Sequence, residues 1–139
     1  MNSTVRFGVS MDEELLVGFD AFCSVHGYAN RSEALRDLIR DALVAERSTE
    51  EDAMVAGSLT LVYDHHKSDL AQRLTEAQHD AHHLILATMH VHLDHHNCLE
   101  VLALRGKSGE VGEIANKLLA VKGVKHGKFA LTATGKEFK

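Results

Sequence analysis

The feature that most constrains the fold is a lone alternating segment near the start of the chain. In Val5–Met11 the apolar residues Val5, Phe7 and Val9 alternate with polar or small ones. A period of two is typical of a β-strand with one buried face. No hairpin partner follows, and an isolated strand leaves its backbone N–H and C=O groups unpaired. The segment therefore predicts pairing with another chain, most simply a second copy.

Two amphipathic helices are predicted directly after this strand. Ser10 and Glu13 have the spacing of a capping box for the first helix, and Gly27 marks its end. Asn30 and Glu33 form a similar pattern at the start of the second helix. Apolar residues repeat at helical spacing in both segments, so each helix has one face for a core.

Residues 1–47 are predicted to form a strand–helix–helix unit that is too small to be stable alone, so we expect an intertwined dimer. This unit contains five Arg and eight Asp or Glu, and the whole chain carries a net charge of −5. Any association with DNA should therefore be weak and sensitive to salt. Residues 48–57 are acidic and rich in small residues, which indicates a linker.

Residues 58–139 are predicted to form an α+β domain in the order strand, helix, strand, strand, helix, strand. The predicted strands are Ser58–Tyr63, Leu84–Leu93, Cys98–Leu104 and Val124–Thr134. The predicted helices are Lys67–Asp80 and Gly112–Val121. This βαββαβ order is the split βαβ pattern of ferredoxin-like and ACT-like domains.

Histidine is the residue type whose distribution points most clearly to function, because seven of the 11 lie between His79 and His96. His90 and His92 are two apart on a predicted strand, so they share a face about 7 Å apart, with Val91 expected to point into the core. A polar turn at residues 94–97 brings Cys98 back beside them. Two imidazoles and one thiolate indicate a site for zinc, nickel or copper, whose fourth ligand must come from elsewhere.

The other histidines and the second cysteine are expected to have simpler roles. Four histidines are expected to be surface residues or weak secondary ligands: His82, His83, His95 and His96. Four more are expected to cap helices or face solvent: His26, His65, His66 and His126. Cys23 lies on the apolar stripe of the first helix and is expected in the core.

Several functional classes lack support in the sequence. No apolar stretch approaches the ~20 residues that cross a bilayer, and no signal peptide is recognisable, so we expect a cytoplasmic protein. No nucleophile elbow, phosphate-binding loop or His-Glu-x-x-His motif is present, so neither an enzyme nor an organic cofactor is expected. Two alternatives stay open: a metal-storage or chaperone protein, and a regulator that senses a small organic ligand.

The motifs resemble those of the bacterial nickel-responsive transcriptional regulators, in the same order and spacing. The matching segments are Asn30–Asp37, Gln78-His79, His90-Val91-His92 and Cys98-Leu99-Glu100. The resemblance implies an N-terminal ribbon-helix-helix dimer that binds double-stranded operator DNA, and a homotetramer, a dimer of dimers, centred on the C-terminal domains. It also implies a repressor of nickel uptake, with one Ni(II) per subunit as corepressor at the tetramer interface.

The resemblance assigns roles to individual residues. Nickel would be held square-planar by His90, His92 and Cys98 of one subunit and by His79 of a neighbouring subunit. Two residues would orient the imidazoles from beside the ligands. They are Gln78 and Glu100.

The resemblance also places DNA contacts and a further cation. Arg6 and Ser10 would face the major groove from the paired strands, where Gly8 departs from the family because a side chain is usual there. Phosphate contacts would come from three residues. They are Asn30, Arg31 and Lys67. The possible secondary cation would be held by Glu33 and Asp37.

Overall fold

The computed structural model describes residues 3–66 and 70–138, which divide into two compact units. One contains the residues up to Leu43 together with Phe138, and the other is Val44–Glu137. The predicted domain boundaries at residues 47 and 57 remain predictions.

Helix α1 (Glu13–Val25) lies in the first unit, and helix α2 (Arg31–Arg47) begins there. The predicted capping box at Ser10 is wrong, because Asp12 is the N-cap and its Oδ1 accepts a hydrogen bond from the backbone N–H of Leu15 at 2.8 Å. A carboxylate at this helix end accepts a hydrogen bond from a free backbone N–H group and interacts favourably with the positive end of the helix dipole. The end of α1 is as predicted, since Gly27 has a φ of 72°, which favours glycine.

Helix α2 starts as predicted, with Asn30 Oδ1 accepting from the backbone N–H of Glu33 at 2.9 Å. Residues 3–12 form neither helix nor strand in the single chain. Val5 and Phe7 are 79% and 73% exposed there. The predicted strand and the ribbon-helix-helix dimer therefore remain predictions, because their expected partner is another chain.

The second unit confirms the predicted α+β order. Its elements are β1 (Met54–Asp64), α3 (Leu70–Asp80), β2 (Ile85–His92), β3 (Asn97–Lys107), α4 (Ser108–Leu119) and β4 (Val124–Thr132). The four strands lie in the order β2-β3-β1-β4, and each neighbouring pair is antiparallel. Leu59, Leu61, Leu102 and Leu104 of the sheet form the core with residues of α3 and α4, Leu118 among them.

Two boundaries differ most from the sequence prediction. Strand β1 begins at Met54, inside the predicted linker, because Met54–Gly57 continue the pairing with β3. Helix α4 begins at Ser108 rather than Gly112, directly after β3 ends. The Ser108 hydroxyl donates to the Ser48 carbonyl at 2.9 Å and so fixes the segment before β1 against the start of α4.

The expectation for Val91 is also wrong. Val91 is 36% exposed, and Met89 and Leu93 beside it are 56% and 53% exposed. His90 and His92 instead share the helix-covered face of the sheet, because they pair with buried residues of β3. The alternation predicted correctly that both histidines share a face, but it did not identify which face the helices cover.

Candidate metal centre

The pairing of β2 with β3 brings two predicted ligands together. His92 lies opposite Cys98, and His92 Nδ1 is 3.4 Å from Cys98 Sγ. The predicted polar turn is confirmed, since Asp94 Oδ1 accepts the backbone N–H groups of His96 and Asn97, each at 2.8 Å. This turn sets the register that places the thiol beside the imidazole.

His65 is the donor that sequence reasoning missed. It follows the end of β1, where its backbone N–H donates to the His96 carbonyl at 3.1 Å. Its ring Nδ1 lies 3.3 Å from Cys98 Sγ, and the ligand atoms of His65, His92 and Cys98 all lie within 4.8 Å of one another. The expectation that His65 caps a helix or faces solvent is therefore wrong. Only the β1–β3 register, which pairs Tyr63 with Cys98, could have indicated it.

His90 faces a buried carboxylate rather than the thiol. Its Nδ1 lies 2.7 Å from Glu100 Oε2 and 3.1 Å from the Tyr63 hydroxyl, which also donates to Glu100 at 3.3 Å. When Nδ1 carries the proton and donates it to the carboxylate, Nε2 keeps its lone pair for a metal ion. The His90 and His92 ring centroids are 5.0 Å apart, so both imidazoles lie at the same place on the sheet edge.

The environment determines the protonation of these groups in the metal-free chain. Burial, followed by the charge of Glu100, raises the pKa of the fully buried Cys98 thiol. Burial, followed by the charge of His66, lowers the pKa of His65 and favours its neutral form. Burial and Glu100 also raise the pKa of Tyr63, so its hydroxyl remains a donor. A soft cation must displace the thiol proton, and metal binding should therefore weaken as pH falls.

The remaining metal-site predictions concern helix α3 and the segment before it. His79 is exposed and Gln78 half-buried on the last turn of α3, and His79 is not part of the His65–His92–Cys98 triplet of its own chain. Its role as a ligand to a neighbouring chain remains a prediction. Lys67 lies outside the described residues.

The predicted DNA and cation residues of the first unit have defined surroundings. Arg6 and Ser10 are exposed. Arg31 donates two hydrogen bonds of 2.9 Å to Asp20, and this contact lowers the pKa of the Asp20 carboxyl. Asp37 accepts the Tyr28 hydroxyl at 2.9 Å and lies 3.4 Å from the Arg40 guanidinium, while Glu33 is exposed. Within the chain, Arg31 is therefore already paired with Asp20, and Asp37 with Tyr28 and Arg40.

Comparison with known proteins supports the interpretation of the His–Cys cluster in the second unit as a metal centre. Residues 56–132 match the family model of the NikR C-terminal nickel-binding domain. The chain is 58% identical to a protein of Nitratidesulfovibrio vulgaris, 57% to one of Solidesulfovibrio magneticus and 56% to one of Geobacter sulfurreducens. Each alignment covers 99% of both chains, and each relative is named "Putative nickel-responsive regulator".

The matched segment contains most of β1, the whole of β2, β3 and β4, helices α3 and α4, and the His–Cys cluster. Within the described residues, no helix has the length and apolarity needed to traverse a bilayer. The chain belongs to the nickel-responsive regulator family, and it is a transcription regulator rather than an enzyme.

Proposed function

We propose that this protein is a cytoplasmic, nickel-dependent DNA-binding repressor that controls nickel uptake, with Ni(II) as corepressor. The observation that carries the proposal is the placement of His90, His92 and Cys98 on one face of two paired strands, with Glu100 beside His90. Imidazole and thiolate donors suit nickel, and a set of four can be square-planar.

The proposed ligands are His90, His92 and Cys98 of one subunit and His79 of a neighbouring subunit, with one ion per subunit. Two observations favour this set. The hydrogen bond of His90 Nδ1 to Glu100 leaves Nε2 available as a ligand. His79 is exposed on α3 and is therefore accessible to another chain.

The proposed assembly is a homotetramer, a dimer of dimers. Leu86, Met89 and Leu93 of the β2 region are more than half exposed in the single chain, on or beside the strand that carries His90 and His92. An apolar patch at this position is typical of an interaction surface, and a second copy would cover it. Val5 and Phe7 are similarly exposed in the first unit, where a second copy would pair with the predicted strand.

Repression would follow from the sharing of ligands between chains. When His79 joins the site of a neighbouring chain, α3 becomes fixed at the subunit interface, which favours one arrangement of the N-terminal dimers on a single duplex. Metal binding shifts this equilibrium only to the extent that the DNA-competent arrangement binds the ion more tightly. Arg6 and Ser10 would then contact bases, with phosphate contacts from Asn30, Arg31 and Lys67.

A gel-shift assay on promoter fragments of nickel-uptake genes tests the proposal. Wild type should bind only with nickel present. The double variant His90→Ala with Cys98→Ala should lose the metal-dependent shift, whereas the control His126→Ala should keep it. A double variant that still responds to nickel, or a wild type that never shifts DNA, would contradict the proposal. X-ray absorption should show four N or S ligands in a plane around nickel.

A second candidate function, metal storage, is favoured by the His65–His92–Cys98 triplet. A metal ion held by these three residues would lie within one chain and would not link subunits. The variants His65→Ala and His79→Ala separate the two functions. Under the repressor proposal, His79→Ala loses tight nickel binding and His65→Ala keeps it, with a square-planar spectrum. Under the storage proposal, His65→Ala loses tight nickel binding and His79→Ala keeps it.

A further inference from the structure

Two Asp-His-His triplets lie side by side in the second unit, and none of their residues is among the proposed nickel ligands. One is Asp64-His65-His66, at the end of β1, and the other is Asp94-His95-His96, between β2 and β3. They fold in the same way, since Asp64 Oδ1 accepts the backbone N–H of His66 at 2.9 Å and Asp94 Oδ1 accepts that of His96 at 2.8 Å. The hydrogen bond from His65 N–H to the His96 carbonyl joins the two turns.

Three exposed imidazoles lie close together where the turns meet. The ring centroids of His66 and His95 are 5.6 Å apart, those of His66 and His96 are 5.2 Å apart, and those of His95 and His96 are 5.0 Å apart. Imidazoles bound to one ion through N–metal bonds of about 2.0–2.1 Å have centroids about 4.5–5.3 Å apart. Two of the three centroid separations lie in this range. Within the described residues, the group whose ligand atoms all lie within 4.8 Å of one another is His65, His92 and Cys98, so the three exposed rings must rotate before their nitrogens can meet at one ion.

The hydrogen bonding of the His66 ring leaves one nitrogen free for a metal ion. Its Nε2–H donates to the His95 carbonyl at 3.1 Å, which leaves the lone pair on Nδ1. Metal-binding histidines commonly donate their second ring N–H to a carbonyl or carboxylate in this way. The carboxylates of Asp94 and Asp64 lie in the same two turns and accept hydrogen bonds from the backbone N–H groups of Asn97 and His66. The Lys125 ammonium, which also carries charge here, donates to Asn97 Oδ1 at 2.6 Å.

We propose that His66, His95 and His96 form a second divalent-metal site in each chain, separate from the Cys98 centre, with water completing the coordination. Its all-imidazole donor set takes zinc, nickel or copper, which are the ions that imidazole suits. All three ligands come from one chain, so the site does not depend on a neighbouring subunit. It binds more weakly than the Cys98 centre because it has no thiolate and is exposed to water.

Equilibrium dialysis of the full-length protein with Zn(II) alone tests the site. Wild type should show a second class of binding sites, which has weaker affinity and holds one zinc ion per chain. The triple variant His66→Ala, His95→Ala, His96→Ala should lose that class, and the control His83→Ala with His126→Ala, which also removes exposed imidazoles, should retain it. A triple variant that keeps the weaker class, or a wild type that binds one ion per chain in total, would overturn the proposal.

A second measurement separates this site from the proposed nickel sensor. The variant Cys98→Ala should keep the weaker zinc class whether or not the protein is a nickel-dependent repressor. Nitrogen NMR of this variant should show zinc shifting the Nδ1 signal of His66 while Nε2 remains protonated. Zinc that leaves the His66, His95 and His96 ring signals unchanged would exclude them as ligands.

Discussion

Glu100 and His90 face each other across the β2–β3 pair, with Glu100 Oε2 2.7 Å from His90 Nδ1. The Glu100 side chain is 9% exposed and that of His90 is 40% exposed. The buried carboxylate thus fixes the tautomer and orientation of a ring whose other side is open to a cation. A histidine held in this way loses little rotational freedom when it binds metal.

Replacing Glu100 should weaken nickel binding without removing a ligand. In Glu100→Gln, the amide keeps the shape but can donate to Nδ1 and so favour the wrong tautomer. We expect nickel affinity to fall by about 10–100-fold, measured by competition with a chelator. Glu110 is an exposed acidic residue on α4, and Glu110→Gln should leave the nickel affinity unchanged. Equal affinities for the two variants would show that Glu100 does not orient His90.

The two cysteines should differ in their effect on the nickel spectrum. Cys98→Ala should abolish the thiolate-to-nickel charge-transfer absorption and reduce affinity by more than about 100-fold, since loss of an orienting partner alone costs 10–100-fold. Cys23→Ala removes a buried thiol of the first unit and should leave the spectrum intact. The assay is a spectrophotometric titration, and loss of the band in Cys23→Ala would contradict the assignment.

The Asp20–Arg31 ion pair should make the free energy of unfolding depend on pH in the acidic range. Arg31 lowers the pKa of folded Asp20 below the value of about 3.9 typical of an unfolded chain. The stabilisation is therefore present above that unfolded value and is lost as pH falls through the lower folded pKa. The urea midpoint of Asp20→Asn should lie below that of wild type at pH 6, and the gap should close towards pH 2. Asp41→Asn provides a control, and a gap that is constant with pH would exclude the ion pair as its cause.

Two glycines of the second unit should respond oppositely to alanine. At Gly127 an added Cβ would overlap Leu119 Cδ2 and lie 3.0 Å from Leu61 Cδ2 and 3.1 Å from the Thr60 carbonyl oxygen. Gly127→Ala should therefore lower the free energy of unfolding by about 1–3 kcal/mol. Gly112 lies in helix α4 with open space around its Cα, so Gly112→Ala should raise it by about 0.4–1 kcal/mol. Thermal unfolding checks both, and equal signs would contradict the packing argument.

Local patterns predicted much of the second unit but not its side-chain neighbourhoods. The βαββαβ order and the turn at Asp94 follow from periodicity and turn chemistry within short segments. The contact between His65 and Cys98 depends on the pairing of β1 with β3, strands separated by more than thirty residues, which no local pattern specifies. The exposed position of Val91 was missed for a related reason, since alternation does not identify the face that helices cover.

The N-terminal unit shows the limit of prediction from one chain. Among its described residues, Cys23 and Ala34 are the buried ones, so most of its apolar surface is open in isolation. The cap at Asp12 was missed because Ser10 and Asp12 both have side chains that favour this position. The predicted strand at Val5–Met11 needs a partner for its backbone groups, and the single chain does not supply one.

The complete burial of Cys98 has a consequence for its chemistry. A sulfur that is screened by imidazoles and holds its proton is a poor target for alkylating agents, peroxide and thiol–disulfide exchange, all of which act through an accessible thiolate. The Cys98 thiol of the metal-free chain should therefore react slowly with these reagents, and it becomes an anionic donor only when a cation takes the place of the proton.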